Sequence, residues 1–240
     1  MADDGSIIVE EPGITFTVPA GIGITEVTAV ENVGYFGGSM SAQPSSLRFT
    51  LLDDSGEERG AIQIFRYATA SGDFELPQDD ELEMLLDEQP SLLIYAAKNR
   101  MPQLPLSGSA AIFGGAGEYV DLGSGDGLRY ITAFAQDRII FTPETQIELL
   151  YRGITSDQAF LIAAQDFPVQ VPADAIPPDT VVFTDDIEDT DQTYRTYLRA
   201  FESNLAALPT SAFTPNLALF DALFASLTIT DNAALSYLIP

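Results

Sequence analysis

The chain has 240 residues, 46% of them hydrophobic and including 15 Phe and 9 Tyr, which is enough apolar material for a sizeable core and weighs against a disordered chain. It has no cysteine and no histidine, which removes disulfides, Ser-His and Cys-His catalysis, and nearly all zinc, copper and non-haem iron sites. With 36 acidic against 10 basic residues the formal net charge is −26, a field that opposes binding to nucleic acid or to anionic membrane surfaces, and no apolar run approaches the roughly 18 residues of a membrane span.

In chain order, residues 1–12 read as a flexible N-terminal segment, and residues 13–240 as one α+β domain. Met1 to Ser6 lacks the basic and apolar regions of an export signal. Ile14, Phe16 and Val18 alternate with threonines and stop at Pro19, as in a strand with one buried face. Leu47–Leu51 and Ala61–Tyr67 alternate on either side of Asp53-Asp54-Ser55-Gly56 and predict a hairpin. Between the first strand and this hairpin, residues 32–46 are rich in Gly and Ser and read as a loop. Within it, the pair Tyr35-Phe36 reads as a folded-back core contact, with an exposed recognition patch as the alternative.

Pro77 followed by Asp79, Asp80 and Glu81 suits a helix start, and Leu82, Leu85 and Leu86 give that helix an apolar face as far as Pro90. Met101 to Leu106 is too rich in proline for a helix and should run extended. Tyr119–Leu122 and Leu128–Gln136, joined at residues 123–127, predict a second hairpin. Gln146–Arg152 and Ala159–Gln165, joined through Gly153–Asp157, predict a third. Tyr194, Tyr197, Leu198, Phe201, Leu205 and Leu208 form a helical stripe ending at Pro209. Thr214-Pro215 reads as an N-cap and first turn for a helix whose face is Leu219, Phe220, Leu223, Phe224 and Leu227, and Thr228-Ile229 reads as a last short strand. Hairpins in series with helices gathered late predict an antiparallel sheet packed against helices.

Several segments together resemble an uncharacterised family of bacterial exported or lipoprotein-type domains: Gly13–Pro19, Gly127–Thr132, Tyr151–Asp157 with Phe167-Pro168-Val169, and Phe213-Thr214-Pro215 with its leucine face. More distantly, an opening strand that ends in proline and a closing helix before a last strand are similar to the PsbP-like superfamily. That resemblance implies an antiparallel sheet sandwiched by helices and an extracellular or cell-surface location. It brings no catalytic motif.

Chemistry is left to carboxylates, Tyr, Lys98, Arg and hydroxyls. Asp185, Asp186, Glu188, Asp189 and Asp191 crowd one segment, and oxygen ligands at close spacing are what calcium takes. The spacing lacks the D-x-D-x-D-G order of an EF-hand, so the leading reading is a solvated loop that caps the following helix. The runs at residues 114–117 and 123–127 are glycine-rich without a following Gly-Lys-Ser/Thr, and read as hairpin turns. Glu57 with Glu58, Asp79 with Asp80, and Gly72-Asp73-Phe74-Glu75 could furnish the two carboxylates of a glycoside hydrolase. Arg129 and Arg152, both in strands, are expected to pair with carboxylates on neighbouring strands. The reading that follows is a non-enzymatic extracytoplasmic accessory or interaction domain with a protein partner and no cofactor. A calcium- or carbohydrate-binding surface module is the alternative, and a carboxylate-dependent hydrolase comes third.

Overall fold

The computed structural model describes residues 4–32, 46–67, 79–98, 101–102, 110–178, 187–230 and Leu235. Within them the chain is α+β and built on antiparallel sheets. A seven-stranded sheet runs in the order β3 (Glu26–Asn32), β4 (Ser46–Leu52), β5 (Glu58–Arg66), β11 (Phe160–Pro168), β10 (Glu148–Thr155), β8 (Gly125–Thr132) and β7 (Gly115–Tyr119). A three-stranded sheet pairs β1 (Ile7–Glu11), β2 (Ile14–Val18) and β12 (Thr228–Ile229). Two short strands, β6 (Ala110–Ala111) and β9 (Phe134–Ala135), pair with each other. The three expected hairpins all lie in the large sheet.

The segment expected to be flexible, residues 1–12, contains β1. Ile7 to Glu11 pair residue by residue with Val18 to Ile14 around Gly13, whose φ of 79° gives the tight reversal. The second hairpin turns at Gly123-Ser124, inside the expected residues 123–127, while Gly125 and Gly127 already belong to β8. Gly127 is glycine because the Tyr151 ring lies where a Cβ would project. The glycines of residues 114–117 are not a turn: Gly115 opens β7 and lets Leu205 approach the backbone.

Among the described residues four α-helices cover the large sheet: α1 (Asp79–Glu88), α2 (Leu92–Ala96), α3 (Ile187–Ala206) and α4 (Leu217–Ser226). Strand alternation divides the core in two. One face carries Phe49, Ile62, Ile64, Ile131, Leu149, Tyr151, Phe160 and Ile162, and packs against the small sheet, α3 and α4. Its contacts are aromatic: Phe16 meets Phe49 edge-on, Phe201 stacks on Phe141, and Phe224 stacks on Tyr151 with ring centroids 4.0 Å apart. The other face carries Phe65, Leu128, Tyr130, Leu150, Ile154 and Leu161, and packs against Leu82 and Leu85 of α1 and Leu92 and Tyr95 of α2. Thr214-Pro215 does not cap α4: that peptide bond is cis, Thr214 bridges to Gln170, and Asn216 is the N-cap, accepting from the Ala218 amide at 3.0 Å. Among the described residues no helix is long and apolar enough to cross a membrane.

Candidate functional site

A groove of about 380 Å³ opens at the end of the large sheet where the β4–β5 turn, the end of β11, the 3-10 turn at residues 20–22 and the start of α4 meet. Ile22, Phe167, Pro168, Pro215 and Phe220 give it apolar walls, and Asp53, Asp54, Arg59 and Gln170 give it a polar rim. Two backbone irregularities build this end. The β4–β5 register skips from Leu51 opposite Gly60 to Leu52 opposite Glu58, so Arg59 is bulged out of the ladder. A second register shift, between Leu149 and Tyr151 against β11, comes where Asp166 has φ of 64°, and it keeps Phe167 on the aromatic face.

Asp53 organises the rim. Its Oδ1 accepts from the Ser55 amide at 2.9 Å, the Ser55 hydroxyl at 2.6 Å and the Glu57 amide at 3.0 Å, and its Oδ2 accepts from Arg59 Nε at 2.7 Å. The Ser55 hydroxyl, and after it the Arg59 guanidinium, hold its carboxyl well below the usual carboxylate range. Asp53 is thus committed to its own turn, whereas Asp54 beside it is exposed. The rim already seats one guanidinium, that of Arg59.

The other polar residues singled out in the sequence are dispersed. Asp185 and Asp186 lie outside the described residues, as do Tyr35, Phe36, residues 72–75 and residues 103–106. Glu188 and Asp189 fall in the first turn of α3, and their side chains are not among those described. Asp191 pairs with Arg138 on the loop after β9. Among the described residues no group of three or more potential ligating side chains gathers. Glu58 is paired with Arg48, and Glu57 lies 3.9 Å from Arg59.

Neither buried arginine pairs as expected. Arg129 finds its carboxylate on a helix, not on a neighbouring strand: it bonds Asp221 of α4 through Nε and Nη2, and donates from Nη1 to the Ala116 carbonyl. Arg152 has no carboxylate within ion-pair distance among the described residues. Its Nη1 donates to the Tyr151 carbonyl at 2.7 Å and the Ala164 carbonyl at 3.1 Å, and among the described residues its Nε has no partner. Desolvation pulls its pKa down to about 10, so it stays charged at neutral pH. Nearby, desolvation pushes the Tyr130 hydroxyl up to about 12, and that hydroxyl donates to the Pro102 carbonyl at 2.5 Å.

Sequence reasoning missed one further buried ionisable group, Glu202 in α3. It is 5% exposed and accepts from the Gly114 amide at 3.2 Å, and desolvation raises its pKa. The signal lay in the stripe itself, since Glu202 adjoins Phe201 and is one turn from Leu198 and Leu205. No family model and no curated protein matches the chain.

Proposed function

We propose that this chain is a non-enzymatic interaction domain, working outside the cytoplasm, that receives a basic segment of a protein partner in the groove at the end of the large sheet. The observation that carries the reading is the groove's chemistry on a chain of net charge −26: apolar walls beside the exposed Asp54 carboxylate, with Arg59 docked on Asp53 next to it. An arginine or lysine on the partner lays its aliphatic stem along Ile22, Pro168 and Pro215 and points its charge at Asp54. The overall field draws the basic segment in, and the groove fixes where it sits. The extracytoplasmic location rests on the resemblance of the strand and helix segments to exported domains.

The test is fluorescence anisotropy with a labelled arginine-rich octapeptide against a glutamate-rich control. Binding should be confined to the basic peptide and weaken with salt. Asp54→Lys should weaken it at least fivefold, while Glu10→Lys on β1, an equal change of charge elsewhere, should alter it less than twofold. Equal losses in the two variants would reduce the interaction to diffuse attraction and remove the groove from it.

A further inference from the structure

Among the described residues, the α1–α2 face of the large sheet carries three buried polar atoms without hydrogen-bond partners: Ser46 Oγ, Gln63 Oε1 and Arg152 Nε. Buried polar atoms in folded proteins are nearly always satisfied, and one that is not calls for an explanation. These three sit together. In the ladder Arg152 lies opposite Ala163, and Ala163 lies opposite Gln63, so the two long side chains share a face two strands apart, roughly 10 Å between backbones. Between them in the ladder lies Ala163, whose side chain is a single methyl group. Ser46 lies diagonal to Gln63, since Ser46 pairs with Phe65 and Arg48 with Gln63. Arg152 is 1% exposed, Gln63 2% and Ser46 1%.

The charge makes this more than a set of loose polar atoms. A buried guanidinium is expensive unless an anion compensates it. Asp166 is the carboxylate whose charge acts on Arg152, and it is exposed at the bulge of β11, outside ion-pair range. Among the described residues, this negative chain thus gives the cation inside its sheet no compensating carboxylate, and gives the acceptor beside it no donor. The group that completes both must bring a negative charge for Arg152 Nε–H and a hydroxyl to donate to Gln63 Oε1, on a frame of a few atoms.

We infer that this face holds an internal site for a small hydroxycarboxylate, with Arg152 binding the carboxylate and Gln63 and Ser46 the hydroxyl side. The site is separate from the groove, and its occupancy is independent of any partner there.

The test is a thermal-unfolding titration of the whole chain with sodium glycolate against sodium chloride at matched ionic strength. Glycolate should raise Tm above chloride in a saturable manner. Arg152→Met and Gln63→Leu should each weaken the apparent affinity at least tenfold. In the parent, the Arg152 Nε–H resonance should shift with glycolate along the same curve. Should Arg152→Met fail to fold, the Gln63→Leu titration and the resonance decide. Identical responses to glycolate and chloride, or a glycolate response unchanged in Gln63→Leu, would leave the three atoms to water and overturn the site.

Discussion

Arg129 and Arg152 stand on adjacent strands of one sheet, at neighbouring register positions and on opposite faces, and the fold treats them in opposite ways. Arg129, opposite Tyr151, points to the aromatic face, where α4 brings Asp221 to meet it with two hydrogen bonds. Arg152, opposite Leu128, points to the α1–α2 face and among the described residues meets only backbone carbonyls. Burial is almost the same, 2% against 1%. Burial alone therefore does not decide what a charge is worth. The comparison teaches that one arginine meets a carboxylate brought by a helix, while among the described residues the other meets none.

The most damaging way to break the comparison is to break the aromatic face. Phe224 stacks on Tyr151 and meets Phe167 edge-on, and Phe201 packs between Phe113 and Phe141. Phe224→Asp or Phe201→Asp removes that packing and buries a carboxylate, and should cost about 4 kcal/mol or more in urea denaturation. Either variant unfolding at the parent midpoint would misplace the helices on the sheet.

Next in size is the ion pair. Asp221→Ala strands Arg129 as Arg152 is stranded now, and should cost about 3 kcal/mol, the toll of an uncompensated buried charge. A loss below about 1 kcal/mol would mean that the Ala116 carbonyl and solvent already satisfy Arg129, and the two arginines would not differ.

A smaller effect separates cation from anion within the aromatic face. Burial raises the Glu202 pKa above its unfolded value. Its contribution is then fully present below the unfolded pKa and is lost as pH rises through the folded one. Glu202→Gln keeps an acceptor for the Gly114 amide without the charge. It should raise Tm at pH 7, with the advantage shrinking as the pH falls towards the carboxylate range. An advantage that grows on acidification would reverse the sign.

The smallest effect concerns the acidic segment before α3. Asp191 is already paired with Arg138, so calcium should raise Tm no more than sodium at equal ionic strength. A calcium-specific rise that Asp186→Asn with Asp189→Asn abolishes would promote the metal-binding alternative.

Most of the fold was legible because its cues are local. Alternation in Leu47–Leu51 and the Asp-Asp-Ser-Gly turn specify a hairpin without help from elsewhere, and the Tyr194–Leu205 stripe specifies a helix and its buried face. What was not legible depends on distant partners. Strand β1 looks like a polar tail until β2 supplies its register, and Gly127 looks like a turn residue until the Tyr151 ring arrives above it. Asn216 was hidden as a cap because Thr214-Pro215 has the pattern of one, and the bridge to Gln170 that draws Thr214 away lies 44 positions back in the chain. The candidate sites were hardest to see. Arg129 and Arg152 are indistinguishable in sequence, each an arginine within a strand. The groove is assembled from Ile22, Asp54, Gln170 and Pro215, which no spacing rule connects.

The most direct test of the contrast between the two arginines is the urea midpoint of Arg152→Met in buffer free of organic anions. A methionine keeps the stem's packing and removes the uncompensated charge. The account predicts a midpoint equal to or above that of the parent, while Asp221→Ala falls well below it. A midpoint well below the parent's, equivalent to a loss of about 2 kcal/mol or more of unfolding free energy, would make Arg152 a fully satisfied structural cation and contradict the account.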